Sequence, residues 1–340
     1  MYTYPQNGYP YYYQPPLPSP EQIRKKHLRS DANYIGFIML LLTLAMQFTF
    51  TAVVLLLAMF GFLPEGGLQS ATFGLSNTEF LLLYSGIYAF SMGVPAILAS
   101  AFTRRLSNPF TPSKPVSGSV LFLGILAAIG LCMAANVVTN IITAYLYEWG
   151  LPQPEFPQYL EPTLTSLGLN IFVLAVLPGL LEEMVFRGFV LRTLRPYGDM
   201  FAVLVSAFLF GLMHGNIAQI PFAFMVGIVL GWFYVATNNI WVSVFIHFLN
   251  NALSVCMEFI GFDLNQSERN AFYAIVIYGL AGLGAIFLPI LLVSNRRNLK
   301  LKNKETVLSF GQRTGVLLSA PAFLISVIIF IVLLILEMNL

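Results

Sequence analysis

Leu180-Leu181-Glu182-Glu183-Met184-Val185-Phe186-Arg187-Gly188 places two acidic residues and an arginine inside an otherwise apolar helical stretch. A charge at membrane depth costs several kcal/mol, roughly 2.5–3.5 on insertion scales. Three such groups in so short a run need partners and a reason. Outward from this stretch the chain is apolar almost throughout. Of its 340 residues, 57% are hydrophobic and 9% are charged, and the mean hydropathy is +0.77. Soluble domains carry about 25% charged residues. The chain therefore reads as an all-α, polytopic transmembrane helical bundle whose surroundings are the lipid bilayer. A net charge of +2 gives no case for a nucleic-acid partner. Cys132 and Cys256 fall in apolar spans without CxxC spacing and read as small buried hydrophobes. The first apolar run starts near residue 35 and is too long for a signal-peptide core, so no cleavable signal peptide is expected.

Residues 1–20 are rich in Tyr and Pro, and Arg24, Lys25, Lys26 and Arg29 follow as a basic juxtamembrane cluster. Residues 1–33 are accordingly expected to form a disordered cytoplasmic tail, with the bundle running from 34 to 340. At ~20 apolar residues per crossing, about nine spans are expected, near 35–62, 80–103, 118–147, 165–191, 199–214, 217–237, 240–261, 271–293 and 315–337. Loops carrying Arg104, Arg105 and Lys114, then Arg192 and Arg195, then Arg296, Arg297 and Lys300, alternate with base-poor loops. The positive-inside bias then puts the N-terminus in the cytoplasm and the C-terminus outside. The turn 237–239, Thr-Asn-Asn, has no charge to report its side.

Helical spacing sorts the polar residues of the spans. Glu183 and Arg187 are four apart and share a face, with the acid N-terminal. A buried arginine needs a partner, so Glu183 is assigned to it. Glu182 points about 100° away and is left free; a carboxylate in a poorly solvated cavity suits a general base. Phe210 and His214 share a face in the fifth span, where the ring either packs or fixes the histidine. His247 and Asn251 share a face in the seventh, and Asn250 points elsewhere. An interhelical hydrogen bond is the plainer use of Asn251. Depth introduces a tension. At 1.5 Å per residue, Glu182 lies ~15 Å from Arg192 and His247 ~12 Å from Asn239, whereas His214 lies ~22 Å from Asp199. A tilted fifth helix, or one whose cytoplasmic end dips into the membrane, would close the gap, with 215–220 non-helical at membrane depth.

Glu182-Glu183-x3-Arg187, Phe210-x3-His214 and His247-x3-Asn251, in that order on separate spans, resemble the motifs of the CPBP family. That family takes in type II CAAX prenyl endopeptidases and the bacteriocin-processing or self-immunity proteins also called Abi proteins. The resemblance covers roughly residues 165–260. It implies an intramembrane peptidase acting on a membrane-anchored or membrane-associated protein or peptide, and a multi-pass position in a bacterial plasma membrane. It implies that Glu182, assisted by His214, activates a water, and that His247 and Asn251 stabilise the oxyanion. Glu183, Arg187 and Phe210 become supporting residues. A metal reading uses Glu182, His214 and His247 as ligands of a Zn2+ ion with a fourth position for water. The helical HExxH signature is absent, and metal-free glutamate chemistry is the preferred expectation. Two rivals stand beside the peptidase: a non-cutting immunity or scaffold protein, and a proton-coupled transporter, against which the lack of an internal repeat counts.

Overall fold

A computed structural model describes residues 17–102, 115–151, 161–295, 299, 301 and 304–338. The Tyr/Pro-rich stretch 1–16 and the basic residues Arg104, Arg105, Lys114, Arg296, Arg297 and Lys300 lie outside them. The described residues form ten helices and no strand. These are α1 Pro20–Met59, α2 Asn77–Phe102, α3 Gly118–Glu148, α4 Leu164–Tyr197, α5 Asp199–Met213, α6 Gln219–Thr237, α7 Ile240–Ile260, α8 Gln266–Ser294, α9 Phe310–Leu318 and α10 Pro321–Met338. Eight are long and apolar enough to cross a membrane. The outward side chains fit that setting: Phe48, Phe122 and Ile275 are 67%, 63% and 73% exposed. The protein is a multi-pass integral membrane bundle.

Three local signals move the expected boundaries. First, α1 begins at Pro20, so residues 20–33 are helix rather than tail. Ser19 caps it, Gln22 closes the capping box and Pro20 occupies the first turn. Leu28 and Ala32 are buried, so this extension packs into the fold. Second, α5 has 15 residues, about 22 Å, which is short of a ~30 Å core. It stops because Gly215, with φ 67°, takes the left-handed conformation that ends helices. The chain is then non-helical only to Ala218, close to the segment expected to break. Third, the last expected span is divided at Ser319 and Ala320 into α9 and α10.

One end of the bundle is polar and tied together. Arg24 pairs with Glu305 at 2.8 Å and also donates to the carbonyl of Pro196. The Tyr197 hydroxyl donates to Asp31 at 2.6 Å, and Arg195 pairs with Asp199 at 3.0 Å. Arg195 also donates to Asn238, which joins the uncharged 237–239 turn to this same end. Burial alone pushes the Glu305 carboxyl up. Hydrogen bonds from the backbone of Val307 and Leu308 and from Arg24 outweigh that and hold it below the usual range. Such a group stabilises the fold above its unfolded value, near 4, and the contribution is lost as pH falls through the folded value. Glu305→Gln is therefore expected to lower the Tm in detergent at pH 7 by about 2 °C. As pH falls from about 4 through the lower folded value, that difference from the wild type should shrink and then vanish, as thermal scans across pH will show.

Close helix contacts rest on glycine. A Cβ at Gly130 of α3 would lie 2.2 Å from the Gly284 Cα of α8, so the two backbones touch there. Small residues permit such crossings in lipid, where burial from water gives no drive. Gly130→Leu forces the helices apart and should cost about 1–3 kcal/mol or more, read as a lower Tm. The buried residues form two clusters. One joins α1, α2, α4, α5, α9 and α10, and the other joins α3 and α8; α6 and α7 contribute to both.

Candidate active site

The charged stretch of α4 is met by α2, α5, α6 and α7. Locally α4 is not a uniform α-helix. Phe172–Val176 and Met184–Leu191 are π-helical, on either side of Glu182 and Glu183. Such wide turns occur often at functional sites. Pro178 lacks an N–H for the carbonyl four residues back, that of Leu174. The Asn251 side chain of α7 donates to this carbonyl at 3.0 Å.

Arg187 and Glu183 are both wholly buried. Arg187 Nη1 donates to Glu183 Oε1 at 2.8 Å, and Nη2 donates to the carbonyl of Gly227 on α6 at 3.2 Å. The guanidinium lies over the Phe210 ring, 4.6 Å from its centre. The paired arginine expected from the spacing is thus present. Glu183 does more than hold it, because the same Oε1 meets His247 Nδ1 at 3.0 Å. An ionised carboxylate only accepts, so Nδ1 carries the hydrogen. That turns Nε2 toward Glu182, whose Oε2 stands 3.7 Å away.

Glu182 is buried but not isolated. The hydroxyl of Tyr88, on α2, donates to its Oε1 at 2.6 Å, while Oε2 has no hydrogen-bond partner among the described residues. Tyr88 was not among the sequence candidates. Its one signal was a phenol in mid-span, since a buried tyrosine hydroxyl usually finds a partner.

His214 sits directly after α5, and its Nδ1 meets the Phe210 carbonyl at 2.8 Å. Its ring is edge-on to Phe210 at 4.9 Å, and Phe210 in turn is edge-on to His247 at 5.8 Å. Phe210 therefore stands between the two histidines and fixes both. No hydrogen bond or ion pair joins His214 to Glu182 among the described residues. The structure brings Glu182, Glu183, Arg187, Phe210 and His247 together and leaves His214 one helical turn further along. Asn251 is turned to Leu174, and its carbonyl accepts from Asn250 at 3.1 Å. Beside His214 a cavity of about 410 Å³ opens between α1 and α10, lined by Thr43, Gln47, Met213, Gly215, Phe330 and Glu337 among others.

The zinc set of Glu182, His214 and His247 is not assembled. Among the described residues no three His, Cys, Asp or Glu side chains gather as a metal-ligand group. As placed, these three side chains do not form a three-ligand metal centre.

Residues 164–253 match the family described as type II CAAX prenyl endopeptidase Rce1-like. YdiL of Bacillus subtilis (strain 168), named as a membrane peptidase, is 25% identical over 134 residues, covering 39% of this chain and 54% of the relative. The membrane-embedded CAAX protease MroQ of Staphylococcus aureus (strain USA300) is 27% identical over 140 residues, covering 39% of this chain and 56% of the relative. The chain thus spans about half the length of these curated relatives. No solved structure matches it. The matched segment holds every motif residue from Glu182 to Asn251, and over it the chain is similar to the CAAX endopeptidases of the CPBP family.

Proposed function

We propose that this protein is an intramembrane endopeptidase that hydrolyses a peptide bond in a membrane-anchored or membrane-associated protein or peptide. The observation that carries this reading is the facing pair of Glu182 Oε2 and His247 Nε2, 3.7 Å apart and buried. With Nδ1 holding the imidazole hydrogen, both atoms are acceptors. One water within hydrogen-bond reach of each, donating a hydrogen to both, satisfies them together. In this mechanism Glu182 removes a proton as the water oxygen attacks the scissile carbonyl carbon. The same proton passes from Glu182 to the departing amine nitrogen as the C–N bond breaks. The geometry supports pairing Glu182 with His247 for water activation, a change from the His214 partnership that the family resemblance implies. Asn251 is then a donor for the oxyanion, and must let go of the Leu174 carbonyl to serve; His214, whose Nδ1 hydrogen goes to the Phe210 carbonyl, donates from Nε2 only as the imidazolium.

The family description points to a prenylated C-terminal motif as the substrate class. The cavity beside Met213 and Gly215, apolar over most of its lining with Thr43, Gln47 and Glu337 as its polar members, suits a lipid-like chain entering from the bilayer. Arg24, Arg29, Arg195 and Arg313 lie at or near the polar end, which we assign to the cytoplasm of a bacterial plasma membrane. α10 then ends on the outer side. A purified sample in lipid nanodiscs tests the reading with three internally quenched probes: a farnesylated CAAX peptide, an unmodified apolar peptide and a transmembrane peptide. Cleavage of one of them by the wild type is expected, and none by Glu182→Gln. A wild type inert on all three contradicts the reading.

A second reading is favoured by the placement of Asn251 and His214, which are turned to backbone carbonyls. It is a protein that binds a peptide and does not cut it. Saturable binding of a probe that mass spectrometry recovers intact identifies this case.

A further inference from the structure

Tyr88 lies on α2, outside the segment that matches the family. It is 8% exposed, and its hydroxyl donates to Glu182 Oε1 at 2.6 Å. A charge-assisted bond of this length is among the stronger hydrogen bonds in proteins. The ring does not stand alone. It ends a stacked column in which Tyr84 lies 6.0 Å from Tyr88, Phe80 lies 6.3 Å from Tyr84 and Phe73 lies 6.3 Å from Phe80, with rings within 29° of parallel. Phe73, at the far end, holds a φ of 56°, a left-handed conformation disfavoured for a bulky side chain. The turn before α2 is thus shaped to place that ring on the column.

We infer that Tyr88 is a positioning residue for the glutamate chemistry, supplied to the motif helices by α2. This rests on the peptidase reading of Glu182. The phenol occupies Oε1, so Oε2 alone faces His247 Nε2 and the water between them. Without the hydroxyl the carboxylate is free to rotate, and neither oxygen is held where one water can bridge it to Nε2. The stacked column limits the ring's own freedom, so the hydroxyl arrives already aimed. Nothing in this role requires Tyr88 to touch substrate.

Tyr88→Phe keeps the ring and the column and removes only the donor. With the three nanodisc probes, the expected result is a kcat lower by about 10- to 100-fold. KM should stay within about twofold, since binding is untouched, and Tm should fall by a few degrees at most, the effect of one lost hydrogen bond to a buried carboxylate. Glu182→Gln is run beside it. If Glu182→Gln is inactive and Tyr88→Phe turns over like the wild type, the inference for Tyr88 is overturned and the peptidase reading stands. A joint fall of Tm with a raised KM also overturns it, because that marks a packing role. A wild type inert on every probe overturns the peptidase reading and this inference with it.

Discussion

Glu182→Gln is expected to stop cleavage, lowering kcat by about 10³-fold or more, while the bundle stays folded. A positioned general base contributes typically 10²–10⁴-fold, and no other carboxylate takes its place: Glu183 is held by Arg187 and His247. The glutamine amide has nearly the same shape, and its oxygen still accepts from Tyr88. It carries no base. The substitution also removes one of two carboxylates packed against a single histidine, so Tm should be unchanged or raised. Cleavage of the nanodisc probes and a thermal scan of the same preparation measure both effects. Activity at the wild-type level would remove Glu182 from the chemistry.

Glu183→Gln should differ by costing stability and activity together. One oxygen of Glu183 serves both Arg187 and His247. Without its charge, Arg187 is left wholly buried with the Gly227 carbonyl and the Phe210 face, and its Nε already lacks a partner. Breaking a buried pair from one side costs about 3–5 kcal/mol. Activity falls as well, because the amide offers either its oxygen or its NH2 to Nδ1 and no longer fixes one tautomer of His247. The two effects are separable. Adding Arg187→Met removes the stranded charge and should restore much of the Tm, but not the turnover. Detergent Tm and probe cleavage of the single and double variants provide the check. A double variant with restored activity contradicts the assignment of Glu183 to His247.

Much of this arrangement was legible in the sequence because it depends on spacing within single helices. The scarcity of charge called for a membrane bundle. The four-residue intervals placed Glu183 with Arg187 and Phe210 with His214. Pairing between helices was not legible. Tyr88 and Glu182 are 94 positions apart and belong to no shared motif. The bond from Asn251 depends on a carbonyl beside Pro178, whose neighbour in space no local pattern names. Two misplacements have local causes. The Ser19-Pro20-x-Gln22 cap was in the sequence, but the proline-rich stretch before it masked the start of α1. The shortness of α5 follows from Gly215, which sequence alone does not distinguish from the glycines that helices tolerate. That early stop explains the depth tension. His214 falls at the deep end of a helix too short to cross, and Phe210, one turn back, makes the contact with His247.

Hydrolysis by a water activated at Glu182 is tested most directly by running the reaction in water enriched in ¹⁸O. The purified protein in nanodiscs is mixed with the probe it cuts, and the new carboxyl terminus is weighed by mass spectrometry. The expected result is one ¹⁸O atom in that carboxylate with the wild type, and no product with Glu182→Gln. Intact probe with the wild type, or labelled product from Glu182→Gln at the wild-type rate, would contradict the account.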